Sequence, residues 1–393
     1  MKHFKIIFRT ILLLSVVVFK TTEVHADQKP TEYFDSVEVS LLTCQPHDEV
    51  YSLYGHTALR WHDLHRGEGD IAFNWGVFDF KKPHFVARFV FGLTDYELGG
   101  FPYKYFQMEY RRWGCMVTEQ VLNLTAEEKQ KLQQALEENL RDENRIYRYN
   151  YFYNNCTTKA RDIIENCING RLEYTERKDY TPSYRDMVHE MTERNPWSRF
   201  GNDVLLGIKA DLTTSRQEQE FLPNNLMYDF DHAQIYENGN YRPLVKERRI
   251  GVPPGVQIQQ SGFPLTPLQC GFIIAVIGLI VFALEWKKKQ AFLAWDLLLM
   301  VVTGVIGIVL TLMIFSQHPT VSLNLQILLF NPLPCFFLWP VVKGHGRRYW
   351  QLTAVLAIFF LIGGFFQSYA EGIQSLAWCL LLQCCIHLYR TRE

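Results

Sequence analysis

The residues whose types and setting could do chemistry are a cysteine and a histidine. Cys156 stands in the run Asn154-Asn155-Cys156-Thr157-Thr158. Asparagine is a strong helix N-cap, so Asn155 places Cys156 in the first turn of a helix. The positive end of a helix favours the thiolate, which is the nucleophilic form. His56, in Tyr54-Gly55-His56-Thr57-Ala58, opens a run of strand character and would supply the base. A histidine on a strand beside a cysteine at a helix N-terminus is the arrangement of thiol hydrolases. A third group should orient the imidazole. Asn74 and Asp79, on the next strand-like run, are both candidates.

Other uses of these residues are open to weighing. Cys156 could be a core residue or half of a disulfide with Cys44 or Cys115. Cys167 is a poor partner, since eleven residues of continuous helix span roughly 16 Å, while a disulfide needs Cα atoms within about 7 Å. There is no CxxC, no HExxH and no pair of histidines at helical spacing, so no metal is expected, and phosphate loops and dinucleotide fingerprints are absent too. No cofactor is therefore assigned. No GxSxG is present, which removes the common serine-hydrolase elbow. With 41 acidic and 40 basic residues the chain shows no polyanion-binding balance, which argues against nucleic acid.

The elements that must hold the pair can be read locally. Residues 36–43, 57–61 and 71–80 have strand character, the last two joined by a hairpin loop. Thr125 to Glu128 is a capping box that opens a helix with Leu132, Leu136 and Leu140 on one face. Residues 156–168 form a second helix with Ala160, Ile163, Ile164 and Cys167 in a stripe. Residues 181–222 are helical and loop-rich. Gly and Pro in 238–266 mark a linker.

Beyond the linker the composition turns apolar. Five stretches, approximately 267–285, 291–315, 323–342, 350–369 and 372–389, have the length a bilayer requires. Lys287 to Lys289, Lys343, Arg347, Arg348, Arg390 and Arg392 flank one side. The loops near 316–322 and 367–371 carry no Lys or Arg. The positive-inside rule puts the C-terminus in the cytoplasm and the polar domain outside. The N-terminus agrees: Lys2, Lys5 and Arg9, an apolar run from Thr10 to Phe19, and Val24-His25-Ala26 make a signal peptide over residues 1–26. Asn331, Pro332 and Pro334 should break the third span. Asp296 lies inside the second span near its cytoplasmic end, where it is expected to snorkel to the interface.

Taken together, the runs Leu42-Thr43-Cys44, Tyr51 to Ala58, Phe73 to Phe80, Tyr149-Asn150-Tyr151-Phe152 and Asn155-Cys156-Thr157-Thr158 resemble the Lnb-type N-terminal periplasmic domain. The multi-span half, including His318 and Asn331-Pro332, is similar to that family as well. The resemblance implies a lipoprotein N-acyltransferase of the bacterial inner membrane. It implies an α+β, papain-like or NlpC/P60-like exported domain over 27–237, circularly permuted so that His precedes Cys. An all-α transmembrane bundle of about five helices over 267–393 would follow. It further implies transfer of an acyl chain from a phospholipid donor to the α-amine of a diacylated lipoprotein at the bilayer. Cys156 would be the nucleophile and His56 the base; the resemblance leaves the orienting group open, and Asn74 is taken for it from its place on the partner strand.

Two rival readings use the same residues. A membrane-anchored cysteine peptidase or amidase of the cell envelope would need a polar, open groove. A non-enzymatic envelope assembly protein would carry Cys156 in a structural role, such as a disulfide.

Overall fold

The computed structural model of the chain describes residues 30–65, 69–257 and 262–390, so the expected signal peptide lies outside the described residues. Seven antiparallel strands form the central sheet. In chain order they are β1 (Val37–Cys44), β2 (His56–Asp63), β3 (Asp70–Val77), β4 (Asp95–Pro102), β5 (Val117–Leu122), β6 (Ile146–Arg148) and β10 (Val245–Val252), with spatial order β10-β5-β1-β2-β3-β4-β6. A second sheet joins β7 (Arg171–Glu173), β8 (Gln234–Glu237) and β9 (Asn240–Pro243).

Strand alternation divides the central sheet into two faces. Val37, Val39 and Leu41 of β1, with Leu59, Trp61 and Trp75, enter the main core. That core is closed by helices α3 (Ala126–Asn139), α4 (Cys156–Glu165) and α7 (Pro223–His232), through Leu132, Leu136, Ala160, Ile164 and Phe230. The opposite face carries Leu42, Cys44, Ala58 and Ala72 and is covered by helix α2 (Tyr103–Trp113). Between these, helix α1 (Phe85–Val90) follows β3, and helices α5 (Tyr184–Met191) and α6 (Pro196–Leu205) follow β7.

Two expectations need correction here. The linker read over 238–266 is shorter: residues 240–243 form β9, and β10 adds to β5 at the edge of the central sheet. The outward side chains of β10 are charged, as is common at sheet edges. Arg249 bonds Glu38 at 2.6 Å. The strand read over 71–80 ends at Val77, and residues 78–80 leave the sheet.

The C-terminal half is a bundle of helices α8 (Pro267–Lys288), α9 (Leu293–Met313), α10 (Leu333–Val342), α11 (Arg347–Gly363) and α12 (Ile373–Arg390). Three segments, 267–288, 293–313 and 325–342, are long and apolar enough to cross a membrane. Helix α11, with 17 residues, and the apolar helix 373–389 are shorter. The third segment is broken as its prolines require: a short 3-10 turn, Leu325–Leu328, precedes α10, and Asn331 Oδ1 accepts the Leu333 N–H at the break. Asp296 does not snorkel. It is buried, with Oδ2 2.9 Å from His387 Nε2, and Trp350 stacks on that imidazole at 4.3 Å.

The soluble domain sits directly on the loops of the bundle. The N–H groups of Gly207 and Ile208 donate to the carbonyls of Thr320 and Leu323, both at 2.8 Å. Gln326 Nε2 donates to Asp203 O at 2.7 Å, and Gln367 Nε2 to Leu206 O at 3.1 Å. The loops without Lys or Arg therefore face the soluble domain.

Candidate active site

Cys156 is placed by its cap. Asn155 is extended (φ −117°, ψ −173°), and its Oδ1 accepts the N–H groups of Thr157 and Thr158 at 2.9 and 3.0 Å. Its Nδ2 donates to Tyr151 O and Phe221 O, which locks the cap to two neighbouring segments. The Cys156 amide is the first of the helix N–H groups, which lack partners within the helix.

His56 opens β2 directly after Gly55, which is in the left-handed region at φ +75°. A Cβ on Gly55 would stand 2.7 Å from Cys44 O, so only glycine fits the close turn into the strand. The hydroxyls of Thr57 and Thr157 meet at 3.1 Å. This buried bond ties the start of α4 to the start of β2, and so brings Cys156 against His56. Asn74, on β3, stands beside the imidazole: its Oδ1 and His56 Nδ1 both border the space above Gly76. Asn74 Oδ1 accepts the Gly76 N–H at 2.6 Å, which fixes the rotamer. His56 Nε2 is buried and makes no hydrogen bond.

Electrostatics favour the ion pair. Burial raises the Cys156 thiol, but His56, the Thr57 N–H and the Thr157 hydroxyl outweigh it and bring the thiol down to about 7. Burial lowers the His56 imidazole, yet the Cys156 thiolate, Asn74 and Glu109 carry it above its ordinary value. The two shifts describe one interaction from its two ends. The other three cysteines of the soluble domain move the opposite way, as burial pushes Cys44, Cys115 and Cys167 up. None of the nine cysteines is in a disulfide, which removes the pairing of Cys156 with Cys44 or Cys115.

The structure does not bring Asp79 to the imidazole. Asp79 is exposed and its Oδ1 accepts the Lys81 N–H at 2.8 Å, as a turn cap. Among the described residues, no group of three or more His, Cys, Asp or Glu could hold a metal ion.

Cys156 and His56 open into a cavity of about 330 Å³ whose wall includes His47, Tyr54, Glu109, Tyr149 and Tyr151. These side chains were not singled out by sequence reasoning. The tyrosine density of residues 147–153 was a signal that could have found part of the wall; nothing local distinguishes Glu109. Burial raises the Tyr54 phenol to about 12, and the Tyr149 and Tyr151 phenols also move up, so these three phenols are neutral. Burial raises the Glu109 carboxyl against the downward pull of His56.

A second, more apolar groove of about 580 Å³ shares Tyr54, Phe78, Tyr96, Tyr149 and Tyr151 with the first cavity. It continues to Leu205, Met313, His318 and Val321, at the loops of the helical bundle.

Comparison with known proteins agrees with this organisation. Residues 27–193 match the model of the Lnb N-terminal periplasmic domain, and residues 258–393 match that of the Lnb transmembrane domain. No curated protein and no solved structure matches. With both of its parts matched in order, this chain belongs to the Lnb family, as a membrane protein with a periplasmic domain.

Proposed function

We propose that the protein is a thiol acyltransferase of the bacterial inner membrane that moves a phospholipid acyl chain, through a Cys156 thioester, to the α-amine of a diacylated lipoprotein. The observation that carries this reading is the placement of an activated thiol. Cys156 lies at a helix N-terminus against His56, in a largely aromatic cavity that shares its wall with a groove reaching the membrane domain. A peptidase would need a polar groove open to peptides. A structural cysteine would not need its thiol brought down to about 7.

The steps balance as follows. The Cys156 thiolate attacks an ester carbonyl of the phospholipid, and the Cys156 N–H at the helix terminus faces the developing oxyanion. The C–O bond breaks, and the glycerol oxygen leaves as the lysophospholipid hydroxyl with the proton from the His56 imidazolium. The lipoprotein amine then attacks the thioester carbonyl. His56, now neutral, takes the amine proton, and the thiolate leaves to restore the ion pair. Asn74 orients the imidazole throughout. The aromatic wall and the bilayer keep water from competing with the amine.

The test is complementation in cells lacking their own N-acylating enzyme, with the lipoprotein N-termini weighed by mass spectrometry. Wild-type protein should give triacylated termini, and Cys156→Ala should give none while accumulating in the membrane. Equal triacylation by both would defeat the mechanism. Release of cell-wall peptides without triacylation would establish the peptidase instead.

A further inference from the structure

The groove beside the Cys156 cavity has a wall, a direction and an end. Its wall is a series of rings that steps away from the thiol. Tyr96 stacks on Tyr149 with centroids 4.1 Å apart, Tyr149 faces Phe89 at 6.4 Å, and Phe89 meets His318 at 6.2 Å. His318 presents no charge at the far end: its Nε2–H donates to Phe89 O at 3.1 Å, and burial holds the ring towards its neutral form. The end is formed by Met313, the last residue of α9, and by Val321 in the following loop, both buried. Part of the lining is apolar although exposed, with Val50 and Phe80 at 71 and 58 %. Helix α9 is long and apolar enough to cross a membrane, so this end of the groove lies at the bilayer surface.

We infer that this groove seats the fatty acyl chain bound to Cys156, with its methyl end against Met313 and Val321, and that these two side chains with Leu205 set the longest chain the thiol accepts. The inference rests on the acyltransferase reading. A peptide is a poor occupant, because its backbone N–H and C=O groups would need partners along a wall made mostly of hydrocarbon and rings, with Glu49, Asn202 and Thr320 its few polar members. A polymethylene chain needs none. The volume, about 580 Å³, falls within the roughly 300–1,000 Å³ of small-molecule sites. The groove shares Tyr96 and Tyr149 with the thiol cavity, so a chain bonded to Sγ can pass from one into the other.

The experiment isolates the first half-reaction. Full-length protein is incubated, without any lipoprotein, with vesicles of phosphatidylcholine carrying dodecanoyl, palmitoyl and stearoyl chains in equal amounts. It is then quenched in acid and weighed intact, so that the adduct on Cys156 reports the chain chosen. Filling the end of the groove with Met313→Trp, or independently with Val321→Phe, should move the adducts towards dodecanoyl. The dodecanoyl-to-palmitoyl ratio should rise by about tenfold or more, since each methylene excluded from an apolar site is worth roughly fourfold. Emptying it with Met313→Ala should move the adducts towards stearoyl, a gain that a misfolded variant cannot produce. Wild-type chain distributions in all three variants would overturn the groove assignment and leave the acyltransferase intact. A wild-type protein that never acquires an acyl adduct would overturn the acyltransferase reading, and the groove assignment with it.

Discussion

A methyl group on Gly76 would lie 2.8 Å from Cε1 of His56 and 3.0 Å from Oδ1 of Asn74. The absence of a side chain at this one position in β3 leaves the imidazole room to stand between Asn74 and Cys156. Gly76→Ala should therefore leave the sheet folded but push the ring out of line, lowering acyl transfer by about a hundredfold, as small misplacements of catalytic groups do. The pH profile of Cys156 alkylation should shift to higher pH in the variant. An unchanged profile would show that the ring tolerates the displacement.

The thiol itself makes a prediction with a sign. Cys156 is brought down to about 7, so its alkylation rate should rise through neutral pH, well below that of an ordinary cysteine. The same rise should limit the acylation step on its acidic side. In His56→Ala the dominant opposing influence is gone and burial is left, so the profile should move above the ordinary thiol range. Peptide mapping with an isotopically labelled alkylating agent at neutral pH should mark Cys156 ahead of Cys44, Cys115 and Cys167, all of which are pushed up.

Asn155 is expected to matter for both stability and rate. Asn155→Ala removes the acceptor for two helix N–H groups and the donor to Tyr151 O and Phe221 O. A cost of about 1–2 kcal/mol in unfolding is expected, with a larger loss of activity because Cys156 is the next residue. Asn155→Asp keeps the cap and loses only the donor, so it should recover much of the stability. Thermal melts of the two variants, compared with their transfer rates, separate these effects.

Arg185 joins the soluble domain's helices to its membrane-facing end. It is buried, pairs with Asp203 at 2.7 Å and Asp211 at 2.8 Å, and Asp203 O in turn accepts from Gln326 of the bundle. Asp203→Ala should destabilise the protein by about 1–3 kcal/mol, because buried Arg185 keeps Asp211 but loses one of its two carboxylates. The melting temperature in detergent should fall accordingly. A fall of less than a degree would mean that Asp211 alone satisfies Arg185.

The loop contacts also fix a topology that reporters can test. The loops around Thr320 and Gln367 touch the soluble domain, whereas Lys287 and Lys288 lie at the opposite end of α8. A reporter fused after Glu393 should be active only in its cytoplasmic form, and one inserted within 316–322 only in its exported form. The reverse pattern for the C-terminal fusion would refute an odd number of crossings after the soluble domain.

The sequence by itself determined whatever depends on neighbours along the chain. Asn155 caps the helix that carries Cys156 because a cap is a matter of two or three adjacent peptide groups. Val37, Val39 and Leu41 face one way because a strand alternates with a period of two. The breaks at Pro332 and Pro334 and the apolar lengths of α8 and α9 are equally local. The local placements of Cys156, at a helix start, and His56, at a strand start, were legible in this sense.

Only the tertiary structure decided what depends on register and docking. Asn74 rather than Asp79 stands beside His56 because β3 ends at Val77, which turns Asp79 out to cap a loop. The tyrosines and Glu109 converge on the thiol from four separate segments, a convergence that no one segment shows. Residues 245–252 became an edge strand because β5 offered unpaired backbone groups, an attraction that outweighs their charged, glycine-flanked composition. Asp296 stayed inside the bundle because His387, on a helix distant in sequence, supplies the partner that the interface would otherwise have provided. In each case a long-range hydrogen bond or packing contact competes with a local preference and wins, since burial makes an unpaired polar group more costly than a disfavoured local conformation.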